Sequence, residues 1–344
     1  MTMTTMYEIR EQMKELYSRY DIYIMTLLKF VLGLFCFFMI NRKIGYMEKL
    51  DNFAVPVLLS LLCSFLPVNC MVMFAALLIL AHLFALSLEV AAVAGAIFLV
   101  LLLLYFVIAP QHGYLLILTP LLFSLKLPYA VPLIMGLTGT PIVMVPVSCG
   151  VVVYYILHFA AVNASAFGAS ESESMGDRVK FMIEYMAGNK EMMLTVFAFA
   201  AVLCIVYILR RMSMDYAWQI AIGAGALTNV LIFLIGDFAL NISGSILGLL
   251  LGTVCSVAAA FVVQFFVFSV DYTGTRKIQF EDDEYYYYVK AVPKITISAE
   301  DKQVKEIHSR TRGKAKNPSR TRKGSSAGRP SRPHPENRKE ARTH

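Results

Sequence analysis

The residues best placed to do chemistry are the few ionisable ones set within or beside long apolar runs: Lys29, His82, Glu89, Lys126, His158 and Asp237. A charge inside a bilayer is costly, so such a residue marks a substrate, ion or proton path by default. Lys126 stands out among them. It falls in 114–139, YLLILTPLLFSLKLPYAVPLIMGLTG, which is apolar enough for a membrane interior yet broken by Pro120, Pro128 and Pro132. Proline takes away backbone N–H donors, so carbonyl oxygens come free near an ammonium. That combination suits a substrate or ion site; the plainer reading is an inward-facing lysine that sets topology. Lys29 lies about two turns into its run and can snorkel to the interface. Glu89 joins two runs and Asp237 ends one, so both read as interfacial, and the two histidines read as packed polar residues.

Signatures of catalysis are missing. There is no GxxxxGK[ST] phosphate loop, no HExxH or other metal cluster and no GxSxG, and Gly223-Ala224-Gly225 alone is too weak for a dinucleotide site. The chain is read as neither an enzyme nor a holder of cofactor or metal. Cys36, Cys63, Cys70, Cys149, Cys204 and Cys255 all sit in apolar runs without ligand spacing and read as small reduced core residues.

The elements that must position Lys126 follow from composition. At 58% hydrophobic and 16% charged residues, with a mean hydropathy of +0.62, the chain is too apolar for water and belongs in a bilayer. A helix needs about 20 apolar residues to cross about 30 Å of hydrocarbon. Residues 22–40, 52–67, 70–88, 91–109, 141–163, 192–209, 217–238 and 243–269 qualify as spans. The segment 114–139 is one kinked span, a re-entrant helical hairpin or a double crossing. The fold class is therefore all-α, a polytopic membrane protein of roughly eight to ten spans, followed by a short extended segment and a disordered basic C-terminal tail. No cleavable signal peptide is read, because the first apolar run begins near Ile22, is long enough to span and lacks a small-residue cleavage site.

Ahead of that run, 1–21 holds an amphipathic helix, with Ile9, Met13, Leu16, Tyr17 and Tyr20 at helical spacing. Residues 22–270 form the transmembrane domain. Within it, 164–191 is the largest connection, where Ser174 and Asp177 fit a capping box and Val179, Met182, Ile183 and Met186 repeat as a surface helix does. It is a lid or a plain connector. In the last span Gly244, Gly248, Gly252, Ser256 and Ala260 recur every fourth residue, a smooth strip for close helix packing within the chain or in a homo-oligomer. A weaker likeness joins 61–67, LLCSFLP, to 122–128, LFSLKLP, as an internal duplication would. Transporters often pair interrupted helices in this way.

Orientation comes from charge. The tail, the Arg210/Arg211 pair and the Arg42, Lys43, Lys49 group all carry the positive charge that belongs in the cytoplasm. A single crossing by 114–139 satisfies all three with an external N-terminus, whereas a re-entrant hairpin gives eight spans, a cytoplasmic N-terminus and an external 41–51 loop. Every version leaves the C-terminus cytoplasmic at the plasma membrane.

Residues 271–298 change character. After Arg276 and Lys277 come an acidic run and then Tyr285, Tyr286, Tyr287 and Tyr288, whose β propensity suits a short strand or hairpin able to bind a protein partner. Residues 299–344 are polar, basic and too poor in apolar side chains to fold alone. They suit anionic lipid headgroups, while nucleic acid is unlikely as a partner because no aromatic platform accompanies the charge. The run QFEDDEYYYYVKAVPK after VDY, with RRMSMDYAWQIA earlier, resembles an uncharacterised family of multi-spanning membrane proteins of Gram-positive anaerobic bacteria, loosely labelled permease-like. The resemblance covers 1 to about 298 and implies a transport setting without supplying site residues. Two functions are carried forward: a transporter or permease-like subunit using Lys126, and a non-catalytic membrane scaffold that recruits partners through its C-terminal segment.

Overall fold

In the computed structural model the described residues are 3–169, 175–242, 244–267, 276–281 and 286–291. The apolar runs form helices: α1 (Met3–Ile44), α2 (Ala54–Phe65), α3 (Val68–Leu86), α4 (Leu88–Ile108), α5 (Gly113–Ser124), α6 (Ala130–Thr138), α7 (Met144–Ala169), α8 (Met175–Gly188), α9 (Lys190–Arg210), α10 (Ala217–Leu240) and α11 (Ile246–Val267). Seven helical stretches are long and apolar enough to cross a membrane; α2 is apolar but shorter. Strand β1 (Arg276–Glu281) pairs antiparallel with β2 (Tyr286–Ala291). The basic tail, Ser174 and Tyr285 lie outside the described residues.

Side-chain pairs fix the direction of each helix. Gly33 of α1 lies against Ser60 and Met71, Lys29 reaches Leu66, and Asn41 meets His82, so α2 runs against α1 and α3 runs with it. The pairs Gly95–Leu80 and Tyr105–Asn69 set α4 against α3. Tyr46 donates to Ala160 O, and the Lys43 ammonium sits over Tyr154, which makes α7 parallel to α1. Gly150–Thr119 and Tyr154–Phe123 then make α5 parallel to α7. On the other side of the break, Tyr129 packs on Phe199, Gly136 on Val206, and Arg210 bonds the carbonyls of Leu137 and Gly139, so α6 is parallel to α9. Tyr155–Thr195 at one end and Gly139–Arg210 beside the start of α7 make α9 antiparallel to α7. Helices α5 and α6 therefore run in opposite directions, and 113–138 is a helical hairpin. Its arms have 12 and 9 residues, about 18 and 14 Å, neither enough for about 30 Å of hydrocarbon.

Alternation continues through α10, whose Gly236 and Gly225 meet Leu194 and Val206, and α11, whose Thr253 meets Asn229. Two ends result. One carries Arg210 and the last turn of α11; the other carries α8 and the 45–53 connection. The arm of α1 ahead of Tyr20, a non-helical residue (φ −120°, ψ 26°), brings buried Arg10 to Phe265 O at 3.4 Å, beside the Arg210 end. In α8, Met182 and Met186 are buried, with Phe181 and Tyr185 packed on Phe159 of α7.

One expectation is corrected here. The Arg42, Lys43, Lys49 group and the Arg210/Arg211 pair lie at opposite ends of the bundle, not the same one. The placement follows from the helix directions; of the three cations, Lys43 is half-buried over the Tyr154 ring at 4.3 Å, while Arg42, 5.6 Å from the Phe38 ring, and Lys49 are exposed. Lys29 reaches along the bundle to the turn between α2 and α3. Its ammonium donates to Leu66 O just past the end of α2, where a cation meets the negative end of the helix dipole.

Candidate functional site

The tip of the hairpin is built by a helix-ending motif. Leu127 N–H reaches back to Leu122 O at 2.9 Å, and Lys126 N–H to Phe123 O at 3.1 Å, the paired bonds of a Schellman turn. Such a turn demands a left-handed residue, usually glycine, and that residue here is Lys126 with φ 59°. A side chain in that conformation costs about 1–2 kcal/mol. Lys126 is exposed, and its carbonyl lies 3.8 Å from where a Cβ on Gly252 would stand. Gly252 is six residues into α11, which sets the tip about 9 Å inside the end that carries α8. Pro120 within α5 removes the N–H that would have bonded Leu116.

A connected set of aromatic rings brackets the tip. Before the turn, Phe123 stacks on Tyr154 at 4.4 Å and approaches Phe199 at 5.8 Å. After it, Tyr129 meets Phe233 at 5.3 Å and Phe199 at 6.4 Å, both edge-on. The rings thus tie both arms to α7, α9 and α10. The Lys43 ammonium also sits over the Tyr154 ring. Tyr155 donates to Thr195 Oγ1 at 3.4 Å, while Thr195 donates to Glu191 O at 2.7 Å. The arrangement offers an exposed ammonium, aromatic faces and phenol hydroxyls within one region at the head of a broken helix pair.

Arg210 holds the other end of the hairpin. Its guanidinium donates to the carbonyls of Leu137 and Gly139, capping the last turn of α6. The apolar contact above it is close: a Cβ on Gly136 would come within 2.7 Å of Val206, and one on Gly225 within 2.7 Å of Leu133. Only glycine lets α6 seat against α9 and α10 at that distance.

The remaining sequence candidates are dispersed. In the α11 strip, Gly252, Ser256 and Ala260 are buried, Gly252 against the Tyr129 ring, whereas Gly244 and Gly248 are exposed. Tyr286, Tyr287 and Tyr288 lie in β2. Buried His82 accepts from Met47 N–H at Nδ1 (3.3 Å) and donates from Nε2 to Asn41 Oδ1 (3.1 Å), tying the 45–53 connection to α3; His158 is exposed, stacked at 6.1 Å on Tyr154, not packed inside. Asn229 escaped notice. It is fully buried on α10 between Gly225 and Phe233, its Nδ2 donates to Thr253 at 3.1 Å, and its Oδ1 has no hydrogen-bond partner. An amide at the middle of the apolar run 217–238, well inside Gln219 at its start, was the available signal. Among the described residues no three His, Cys, Asp or Glu side chains could hold a metal ion together.

The helices and this site define a helical protein of the polytopic membrane class, with seven stretches able to cross a bilayer. No family model matches the chain, and no curated protein or solved structure is similar to it.

Proposed function

We propose that the chain is a permease-like integral membrane protein of the plasma membrane in which the α5–α6 hairpin handles the solute. The observation that carries this reading is the pair of antiparallel half-length helices, with an exposed, left-handed lysine at a tip set inside the bundle. Broken helices at membrane depth are tolerated where they line a path or a site, and strained backbone concentrates where it is used. On this reading α1, α2 with its 45–53 connection, α3, α4, α7, α9, α10 and α11 make eight passes around one re-entrant hairpin. Both termini then lie in the cytoplasm, which agrees with the basic tail and the Arg210/Arg211 pair and accepts the 45–53 connection outside.

The test is uptake by proteoliposomes, using radiolabelled amino acids, sugars and inorganic ions as separate probes. A solute taken up by the wild type and about tenfold less by Lys126→Ala supports the reading; a solute taken up equally by both removes Lys126 from the path.

A second reading, a scaffold that recruits partners, is favoured by β1 and β2. The register pairs Ile278 with Val289 and Phe280 with Tyr287, and alternates them with Lys277–Lys290 and Gln279–Tyr288. An isolated two-stranded ribbon is marginal in water and has two open edges, so a partner strand would complete it. Deleting 276–344 should abolish partner capture on this reading and leave solute uptake intact on the first.

A further inference from the structure

Two voids outside the hairpin tip lie side by side. One is a groove of about 390 Å³ on the surface of α3 and α4, lined by Leu77, Leu80, Gly95, Leu99, Leu103 and Phe106 among others. The other is an internal cavity of about 40 Å³ between α1, α3, α4, α5 and α7, which touches Cys36, Val72, Leu116, Ile117 and Pro120. Ala76, Phe98 and Leu102 line both. These three side chains form a shared wall, with the groove on one side and, on the other, the cavity that reaches the arm of the hairpin at its internal proline.

We propose that this slot between α3 and α4 is a binding site for a lipid acyl chain drawn from the bilayer. Both helices are long and apolar enough to cross a membrane, and the groove lies along their middle turns, so hydrocarbon is the medium at its mouth. The lining side chains are apolar throughout, with only a buried thiol in the cavity, and an apolar void of this kind stays free of water. Headgroups, peptides with free amides and ions have no partner there. The driving force is not hydrophobic, because the bilayer is as apolar as the slot; it is the dispersion contact that an unfilled void lacks and a methylene chain supplies. Gly95 is what opens the groove. A Cβ there would stand 3.6 Å from Leu80, in ordinary contact, so a longer side chain fits but fills the mouth. A chain end that displaces the Phe98 ring would press on Leu116, Ile117 and Pro120 in the cavity behind it, which couples the slot to the hairpin without depending on what the hairpin carries.

The probe is phosphatidylcholine with a diazirine near the end of one acyl chain, photolysed in nanodiscs with the full chain, and adducts are mapped by peptide mass spectrometry. Adducts on Leu116 or Ile117 are the expected result, since these residues are 6% and 3% exposed and are shielded from surface lipid. Gly95→Phe should lower α5 labelling about tenfold, by closing the mouth, and leave labelling of the exposed α10–α11 surface unchanged. Leu99→Trp on the rim gives the same comparison if Gly95→Phe fails to fold. Absence of α5 adducts in the wild type, or equal α5 labelling in a folded groove-filled variant, overturns the proposal. So does a dimer crosslinked through α3 and α4, which would mean that a second copy covers the groove.

Discussion

Lys126 carries two separable properties, an ammonium and a left-handed backbone. Lys126→Gly keeps the turn and relieves the strain, so it should raise stability by about 1 kcal/mol, read as thermal unfolding in detergent. Lys126→Val removes the same charge, and its β-branched side chain fits the left-handed conformation worse than the unbranched lysine does, so it should lower stability below the wild type. If the ammonium is the working group, both lose uptake alike; uptake that survives in the glycine variant shows that the turn was what mattered. Buried polar groups at other positions give a parallel test. His82→Leu strands Met47 N–H and Asn41 Oδ1, a loss of about 1–3 kcal/mol, and should expose the 45–53 connection to limited proteolysis. Asn229→Leu should behave oppositely, because the oxygen that it removes has no partner. Unchanged or higher stability is the expected outcome, and lost uptake in such a variant would assign Asn229 to the path.

At the scale of the element, what was legible in the sequence depended on length. Runs such as 70–88, 91–109 and 217–238 reappear within a few residues as α3, α4 and α10, since an uncharged run of that size has few alternatives to a helix. The segment 114–139 stayed ambiguous because its two arms together are as long as one span, and periodicity cannot say whether a chain continues or turns back. The answer lies in pairs distant in sequence, Thr119 with Gly150 and Gly136 with Val206, and in the left-handed turn at a lysine. The similar segments 61–67 and 122–128 each fall at the end of a 12-residue helix, α2 or α5, and these two helices run in opposite directions. Arg210 was legible only as a topological charge, yet it caps α6. Arg210→Met should free the carbonyls of Leu137 and Gly139 and cost about 1–3 kcal/mol. Hydrogen exchange should then rise in 133–139 while α9 and α10 stay protected; uniform exchange across all three would mean that Arg210 holds the bundle and not the hairpin.

For the molecule as a whole, the two ends of the bundle make the decisive statement. Tyr46 beside Ala160 and Arg210 beside Gly139 put the 45–53 and 211–216 connections at opposite ends, and Arg10 beside Phe265 puts the N-terminal arm with the latter. Charge counting could not decide here: Lys43 is half-buried over the Tyr154 ring, but Arg42 and Lys49 stay exposed, so both ends of the bundle carry solvated positive charge. Positions 112 and 140 flank the hairpin, and both fall at the Arg210 end if 113–138 turns back, but at opposite ends if it crosses. Single cysteines at 48, 112, 140 and 213, in a background lacking the six native ones, would separate these cases with a membrane-impermeant maleimide on intact cells. Labelling at 48 alone, with 112, 140 and 213 reactive only after permeabilisation, is the expected pattern. Labelling at 48 and at just one of 112 and 140 would restore a continuous kinked span and remove the re-entrant tip on which the transport reading stands.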